Sequence, residues 1–231
     1  MSFLGGLFND PFYQRTDPRK PEEVDDAEVI ISPDTRRENR IPSGQTRTKK
    51  WPVLDAYGTP SINLETWTFE INGLVERPQK WTLDEFMRLP SVRVFADFHC
   101  VTRWSRLDNV WSGVSTRELA AQVSFKPEAK FALASAYDHD WTTNIPLEYF
   151  LMEDALLAWA HDGRPILPEH GGPVRLIIPR LYAWKSAKWI KGIALLEKDE
   201  AGFWEKGGYH MRGNPWAGGD GERFRWQGGE E

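Results

Sequence analysis

The sequence predicts an α+β fold with a mainly β, mixed-sheet core and a few short helices. Apolar stretches with strand character recur along the chain, and the helical segments between them follow no regular strand–helix–strand rhythm. This pattern runs from residue 51 to residue 216 without a linker or a repeat. A chain of 231 residues has about the length of one large domain and can bury its own core.

The first predicted strand is Trp67–Asn72, which alternates apolar and polar residues and ends at Gly73. Thr82 and Glu85 form a capping-box pair at the start of a short helix, and Pro90 ends it. The elements predicted after that helix are a strand over 92–98 that runs into Cys100, a helix capped by Ser115 and Glu118, a strand over 131–136, a helix over 146–155, and strands over 156–160, 174–178 and 189–196.

The two ends of the chain differ from this central domain. Residues 1–50 hold nine acidic and nine basic side chains with almost no apolar periodicity. They predict an irregular N-terminal arm that is either disordered or wrapped on the domain in extended form. The domain itself is expected over residues 51–216, and residues 217–231 form a Gly-rich C-terminal tail.

The net charge and the hydropathy of the sequence exclude some classes of binding partner. The net charge of −5 predicts no nucleic-acid partner and no anionic membrane surface. No apolar run reaches the roughly 18 residues of a membrane-spanning helix, and the N-terminus lacks the pattern of a secretory signal, so a cytoplasmic location is expected. The 12 tryptophans are compatible with an aromatic ligand cleft, including that of a non-catalytic binding module.

Cys100 is the only cysteine, which excludes a disulfide framework, a multi-cysteine zinc site and an iron–sulfur cluster. It follows a predicted strand and has His99, Arg103 and Arg106 close by in sequence. Such neighbours predict an electropositive setting in which the pKa of the thiol is lowered and the thiolate attacks or binds a soft metal. The alternative from the residues alone is a small buried apolar side chain.

A second segment predicts anion binding. Gly171 and Gly172 allow close approach of a ligand to the backbone, and they precede an apolar strand that carries Arg175. Lys188 follows downstream as a second positive charge. A tight turn flanked by solvated basic residues explains the same pattern.

Together these two segments resemble the molybdopterin-binding domain of the sulfite-oxidase-like oxidoreductases. The strongest similarity is to the small bacterial branch that includes the catalytic subunit of periplasmic methionine sulfoxide reductase. It extends from about Pro52 to Trp216. The residues that carry it are His99-Cys100-Val101, Trp104-Ser105, Trp111-Ser112-Gly113-Val114, Gly172-Pro173-Val174-Arg175-Leu176, Lys185-Ser186-Ala187-Lys188 and the strand from Thr68 to Pro78.

The resemblance implies a molybdenum–molybdopterin cofactor, with Cys100 as the single protein thiolate on the metal. Arg175, Ser186 and Lys188 fall where the family holds the phosphate and pterin of the cofactor. Ser135 stands where a threonine is expected, and His170 where the most similar relatives have an asparagine. The family's upstream Asn-x-x-[Tyr/Phe]-Glu segment has no clear match, so part of residues 40–57 is expected to replace it.

The implied activity is oxygen-atom transfer, or reduction of an oxo group, on a small sulfur- or nitrogen-containing substrate. Arg103, Arg106 and the segment 138–143 are candidate substrate-facing groups, with surface solvation as the alternative for the arginines. Because the sequence shows no haem, iron–sulfur or flavin signature, a separate electron-transfer protein is expected. Two other functions stay open: a tryptophan-rich binding module, and a thiol enzyme with Cys100 as nucleophile and His99 or His170 as base.

Overall fold

Two β-sheets dominate the computed structural model, which describes residues 29–217. Residues 1–28 of the predicted arm and residues 218–231 of the predicted tail lie outside the described residues. Within residues 29–217 the strands are β1 (Val29–Ile31), β2 (Thr46–Arg47), β3 (Thr68–Gly73), β4 (Gln79–Thr82), β5 (Val92–Cys100), β6 (Trp104–Ser115), β7 (Phe131–Ala136), β8 (Thr142–Pro146), β9 (Leu156–His161), β10 (Arg164–Pro165), β11 (Arg175–Ile177) and β12 (Ile190–Leu196).

The first sheet contains the strand that ends at Cys100. Its strands lie in the order β1-β5-β6-β9-β10, with β11 also paired to β9 and β2 paired to β6. Strands β1 and β2 are parallel to their neighbours, whereas the other pairs are antiparallel. Residues 29–50, which supply β1 and β2, therefore extend this sheet.

Strand β6, with 12 residues, is missing from the elements predicted from the sequence. Polar residues occupy several of its buried positions and hide the apolar alternation that marks a strand. These residues are satisfied by hydrogen bonds: the Asn109 amide donates to the carbonyl of Ala96 at 3.0 Å, and the Ser105 hydroxyl donates to Gln45 at 2.6 Å.

The second sheet has the order β4-β3-β12-β7-β8. Strand β12 is parallel to β3 and antiparallel to β7. Gly73 ends β3 with a φ of 80°, and a Cβ at this position would lie 2.4 Å from the carbonyl oxygen of Leu195. Glycine is therefore required where these two strands meet.

The helices within residues 29–217 are short: α1 (Leu83–Met87), α2 (Thr116–Val123), α3 (Leu147–Phe150) and α4 (Phe203–Lys206). The predicted capping box of α1 is present. The helix predicted over 146–155 is wrong in length, since only α3 forms. The chain then turns to place Asp154 in the interior, where its carboxylate accepts from the Ser32 hydroxyl at 2.6 Å. None of the described helices is long and apolar enough to span a membrane.

The largest apolar cluster contains side chains from both sheets and from α1 and α2. Aromatic rings supply much of its volume, as expected from their large buried area. The α+β class with a sheet-dominated core is confirmed. The largest fully buried rings of this cluster are Trp67, Phe69, Phe86 and Phe150.

Candidate cofactor site

Cys100 is the last residue of β5 and lies in the wall of a cavity. Its side chain is almost fully buried, and Sγ lies 3.1 Å from the Thr102 hydroxyl. We call this space the Cys100 cavity. Its lining residues are Trp51, Pro52, Leu54, Asp55, Ala56, Phe98, Cys100, Val101, Thr102, Trp104, Ala136, Asp138, Trp141, Arg175, Ala183, Trp184, Ser186, Lys188, Trp189, Trp204 and Tyr209.

The expected lowering of the thiol pKa is wrong. Burial raises the pKa of Cys100, and this outweighs the opposing effects of the Thr102 hydrogen bonds and the positive charge of Arg175. Proximity in sequence is misleading here, because Arg103 is exposed and neither Arg103 nor Arg106 lines the Cys100 cavity.

His99 is also not positioned to act on Cys100. It is fully buried outside the Cys100 cavity, because neighbouring residues of a strand point to opposite faces of the sheet. Its Nδ1 lies 2.9 Å from the Ser105 hydroxyl, and burial lowers its pKa to about 4. The imidazole is thus held neutral in the interior.

Arg175 is the cation that the fold brings to Cys100. It is 2% exposed and donates to the carbonyls of His170 at 2.6 Å and Ser186 at 2.7 Å. Burial lowers its pKa to about 9, so the guanidinium stays charged at neutral pH. Its Nε has no hydrogen-bond partner, and no carboxylate lies within salt-bridge distance, among the residues the structure describes. A buried charge in this state provides a binding site for an anionic group.

Lys188 and Ser186 complete the polar part of the cavity wall. The ammonium group of Lys188 donates to the carbonyl of Glu169 at 2.8 Å and lies 3.7 Å from the carboxylate of Asp55. Burial, with a contribution from the charge of Arg175, lowers the pKa of Lys188 to about 8. The Ser186 hydroxyl accepts from the backbone N–H of Ile178 at 3.0 Å, which fixes its position beside Arg175.

A second cavity shares Trp51 with the first, and we call it the Arg106 cavity. Arg106 donates to Asp162 at 2.6 Å and lies 2.9 Å from Nε2 of His161. His170 lines this cavity as well, and its Nδ1 has no partner among residues 29–217. The lining residues are Lys49, Trp51, Pro60, Ser61, Ile62, Leu64, Arg106, His161, Asp162, Arg164, Pro165, Ile166, Leu167, Pro168, His170, Gly172 and Pro173.

The predicted site residues are therefore divided. Cys100, Arg175, Ser186 and Lys188 share one cavity, while His170 and Arg106 line the other. Two predicted residues line neither cavity. The first is the exposed Arg103. The second is Ser135 on β7, whose hydroxyl donates to the carbonyl of Gly192 at 3.3 Å.

Two predicted segments contribute to the lining of the Cys100 cavity. Asp138 and Trp141 come from the predicted substrate-facing segment 138–143, and Trp51, Pro52, Leu54, Asp55 and Ala56 come from the expected replacement segment 40–57. The lining also includes aromatic side chains that had no assigned role from the sequence, namely Trp184, Trp204 and Tyr209. Together with Trp141 they form an aromatic wall. The high tryptophan content of the sequence is compatible with an aromatic wall but does not show which tryptophans form it.

A buried ion pair supports the loop that carries Ser186 and Lys188. Nζ of Lys185 lies 2.6 Å from Oε1 of Glu205 on α4, and both side chains are fully buried. The same carboxylate oxygen accepts from Nε1 of Trp184 at 2.8 Å and from the Thr143 hydroxyl at 2.9 Å. The polar contacts of the site thus continue into the interior behind its aromatic wall.

Comparison with known proteins identifies the class. The sequence model of the oxidoreductase molybdopterin-binding domain matches residues 56–204. The chain belongs to this family, and the predicted enzyme class, a molybdopterin-dependent oxidoreductase with a molybdenum–molybdopterin cofactor, is confirmed.

Individual relatives give further detail. Oxidoreductase YuiH of Bacillus subtilis is 44% identical over 188 residues, which cover 81% of this chain and 93% of YuiH. A putative protein-methionine-sulfoxide reductase subunit, YedZ1 of Azospira oryzae, is 29% identical, with coverage of 72% of this chain and 64% of YedZ1. The crystal structure of the sulfane dehydrogenase SoxCD from Paracoccus pantotrophus matches with a TM-score of 0.56 and 25% identity, over 61% of this chain and 41% of the SoxCD chain.

The residues of the Cys100 cavity fit the cofactor of this family. A buried thiol offers one soft ligand, and the uncompensated guanidinium of Arg175 offers a site for an anionic group. Within residues 29–217 no three His, Cys, Asp or Glu side chains converge on a common metal position. Cys100 would hold the metal, and Arg175, Ser186 and Lys188 would hold the remainder of the cofactor.

Proposed function

We propose that this oxidoreductase transfers an oxygen atom to or from a small sulfur- or nitrogen-containing substrate and exchanges electrons with a separate protein. The observation that carries the proposal is that Cys100 and Arg175 line the same aromatic-rich cavity. The names of relatives refer to methionine sulfoxide, to sulfane and, in the plant nitrate reductases, to nitrate, so they support both the sulfur and the nitrogen class of substrate.

The described side chains have distinct roles in this reaction. Bound molybdenum cofactor supplies two-electron oxygen-atom chemistry, and the protein holds it in place. Cys100 anchors the metal end, while Arg175 neutralises negative charge without a competing carboxylate. The rings of Trp141, Trp184 and Trp204 exclude water and offer apolar surface to an uncharged substrate.

The electron partner follows from the composition of the chain. Transfer of one oxygen atom moves two electrons, and the sequence carries no haem or iron–sulfur motif that would exchange them onward. A separate electron-transfer protein is therefore part of the proposal. Steady turnover by the purified protein with a natural electron donor and no second polypeptide would contradict this part.

Metal analysis tests the proposal directly. We expect about one molybdenum per chain in protein purified from a host that makes the cofactor, and almost none in Cys100→Ser, because serine is a hard ligand. Arg103→Ala serves as the control, since this exposed side chain lines neither cavity and its loss leaves the metal content unchanged. Metal-free wild-type protein, or a Cys100→Ser variant that retains molybdenum, would refute it.

The thiol-enzyme alternative predicts a different behaviour. It requires a base beside Cys100, yet His99 lies outside the Cys100 cavity and His170 lines the Arg106 cavity. Rapid alkylation of Cys100 in freshly purified, metal-loaded protein would favour that alternative. The cytoplasmic location also stays a prediction, and cell fractionation tests it.

A further inference from the structure

Within the described residues, four charged side chains line the Cys100 cavity. They are Arg175, Lys188, Asp55 and Asp138. Neither Arg103 nor Arg106, the arginines expected from the sequence to face a substrate, belongs to this lining. The charge that a substrate meets in the cavity therefore depends on how these four groups are engaged.

Three of the four charged groups have a role in the proposed site. The ammonium group of Lys188 lies 3.7 Å from the carboxylate of Asp55, so these two charges offset each other. Arg175 has no carboxylate within salt-bridge distance in residues 29–217, and in the proposed function it faces the anionic part of the cofactor. The carboxylate of Asp138 is the charge that remains.

Asp138 carries a nearly buried negative charge in the turn between β7 and β8. Its backbone carbonyl accepts from the N–H of Trp141 at 3.0 Å, which fixes the turn. Its side chain is 5% exposed, and within the described part of the chain its ion-pair partner is Nδ1 of His139 at 2.9 Å. The side chain of His139 is 70% exposed, so water screens the pair and the charge of Asp138 is only weakly compensated.

Contacts around Asp138 place it near the opening of the cavity. The ring of His139 lies 4.6 Å, centroid to centroid, from the ring of Tyr57, which is 56% exposed. Leu54, three residues before Tyr57, lines the cavity and is 57% exposed. The charge of Asp138 also acts further inside, because burial lowers the pKa of Lys188 to about 8 and Asp138 is among the groups that oppose this lowering. A substrate that enters the cavity therefore comes under the influence of this carboxylate.

We infer that Asp138 is a specificity-determining residue, through which the Cys100 cavity selects uncharged or cationic sulfoxides and N-oxides over oxyanions. A negatively charged substrate would approach a poorly compensated carboxylate, and like charges repel more strongly inside a protein than in water. An uncharged or cationic substrate meets no such repulsion. The inference rests on the proposed function and narrows its substrate class.

A pair of sulfoxides that differ by one charge tests this role. (Methylsulfinyl)acetate and (methylsulfinyl)acetamide have the same reacting group: the S–O bond breaks, two electrons from a reduced viologen dye and two protons are taken up, and the oxygen leaves as water. We expect the kcat/KM of wild type to be about tenfold higher for the amide than for the acid. This preference should be lost in Asp138→Asn and kept in Asp138→Glu.

Binding without turnover gives a second readout. The corresponding sulfones, (methylsulfonyl)acetate and (methylsulfonyl)acetamide, are titrated into molybdenum-loaded protein by calorimetry. We expect the acid to bind wild type about tenfold more weakly than the amide, and the two to bind Asp138→Asn about equally. The matched control is Asp84→Asn, because the side chain of Asp84 is 60% exposed and lines neither cavity, so this variant should keep the preference of wild type.

Molybdenum content and thermal unfolding of each variant separate specificity from cofactor binding and folding. A folded but metal-free Asp138→Asn would assign Asp138 to cofactor binding and overturn the inference. If Asp138→Asn does not fold, wild type decides: an equal preference for acid and amide, or a preference for the acid, overturns the inference.

The inference and the proposed function fail in different ways. Equal charge preference in wild type and Asp138→Asn overturns the inference, while sulfoxide turnover by wild type leaves the proposed function standing. Wild type that turns over nitrate or sulfite but neither sulfoxide has the same meaning. Wild-type protein without molybdenum overturns both.

Discussion

Lys185 and Arg175 are two cations buried to the same extent but compensated differently. Lys185 is fully buried and pairs with the equally buried Glu205 at 2.6 Å. Arg175, 2% exposed, donates only to backbone carbonyls and has no carboxylate within salt-bridge distance in residues 29–217. The charge of Lys185 is balanced within the fold, whereas the charge of Arg175 is left for a ligand. Burial alone therefore does not show whether a cation stabilises the fold or binds a ligand. The presence or absence of a carboxylate partner distinguishes the two roles.

The largest effect is expected at the internally balanced pair. Lys185→Met removes the cation that lies 2.6 Å from the buried carboxylate of Glu205, and we expect the free energy of unfolding to fall by about 3–5 kcal/mol. Chemical denaturation of the cofactor-free protein measures it.

A second substitution provides the control for Lys185. In Lys185→Met with Glu205→Gln, the carboxylate that has lost the Lys185 cation is replaced by a neutral amide, whose oxygen still accepts from Trp184 and Thr143. We expect this double variant to be more stable than Lys185→Met alone. Equal stability of the two would show that the negative charge at position 205 is not the cause.

Arg40 tests, outside the cofactor site, whether the loss of a cation paired with a buried carboxylate destabilises the fold. It donates to both carboxylate oxygens of the buried Asp97, at 2.9 and 2.7 Å, and also to Asp108. We expect Arg40→Ala to lower the free energy of unfolding by about 3 kcal/mol. Arg47 is the control, because it is 60% exposed and its 3.2 Å contact with Asp108 is worth less than about 1 kcal/mol.

Arg175 should behave in the opposite way. Arg175→Met removes a buried charge that has no carboxylate partner, which offsets the loss of its two carbonyl hydrogen bonds. We expect the cofactor-free variant to unfold within about 1 kcal/mol of wild type, yet to lose the molybdenum cofactor when made in a competent host. A destabilisation as large as that of Lys185→Met would remove the distinction between the two cations.

The smallest effect is expected at Lys188, where it appears only in the pH dependence of the free energy of unfolding. Its pKa is lowered to about 8 in the folded chain, so between that pH and its ordinary value near 10.4 the unfolded chain binds more protons. The free energy of unfolding of cofactor-free wild type should therefore rise with pH in this window, relative to Lys188→Met. If the free energy of unfolding depended on pH in the same way in wild type and in Lys188→Met, the predicted rise would be contradicted.

Much of the second sheet and its helices could be predicted from the sequence, because the relevant signals are local. The alternation over Trp67–Asn72 and the Thr82–Glu85 pair correspond to β3 and to the capping box of α1. Strand β6 could not be found this way, since its buried polar residues depend on partners from other segments such as Gln45. Hydrophobic periodicity reveals a strand only where its buried residues are apolar. It does not reveal a strand whose buried residues are polar and have hydrogen-bond partners that are distant in sequence.

The candidate site shows the same limit. The two motifs located Cys100 and Arg175, and the fold brings both to one cavity. The local charges around Cys100 gave the wrong direction for the thiol pKa, because sequence neighbours on a strand and its turn point away from one another. Trp51 carries no motif, and only the fold shows that it lines both cavities.

The wall of the Cys100 cavity is built from positions as far apart as Trp51 and Tyr209. During synthesis the ribosome releases Trp51 long before Tyr209, so the chamber does not exist while the chain is still emerging. The cavity can therefore enclose a cofactor only after the chain has been synthesised as far as Tyr209. Leu54 lines the Cys100 cavity and is 57% exposed, so the cavity reaches the surface of the protein at this residue.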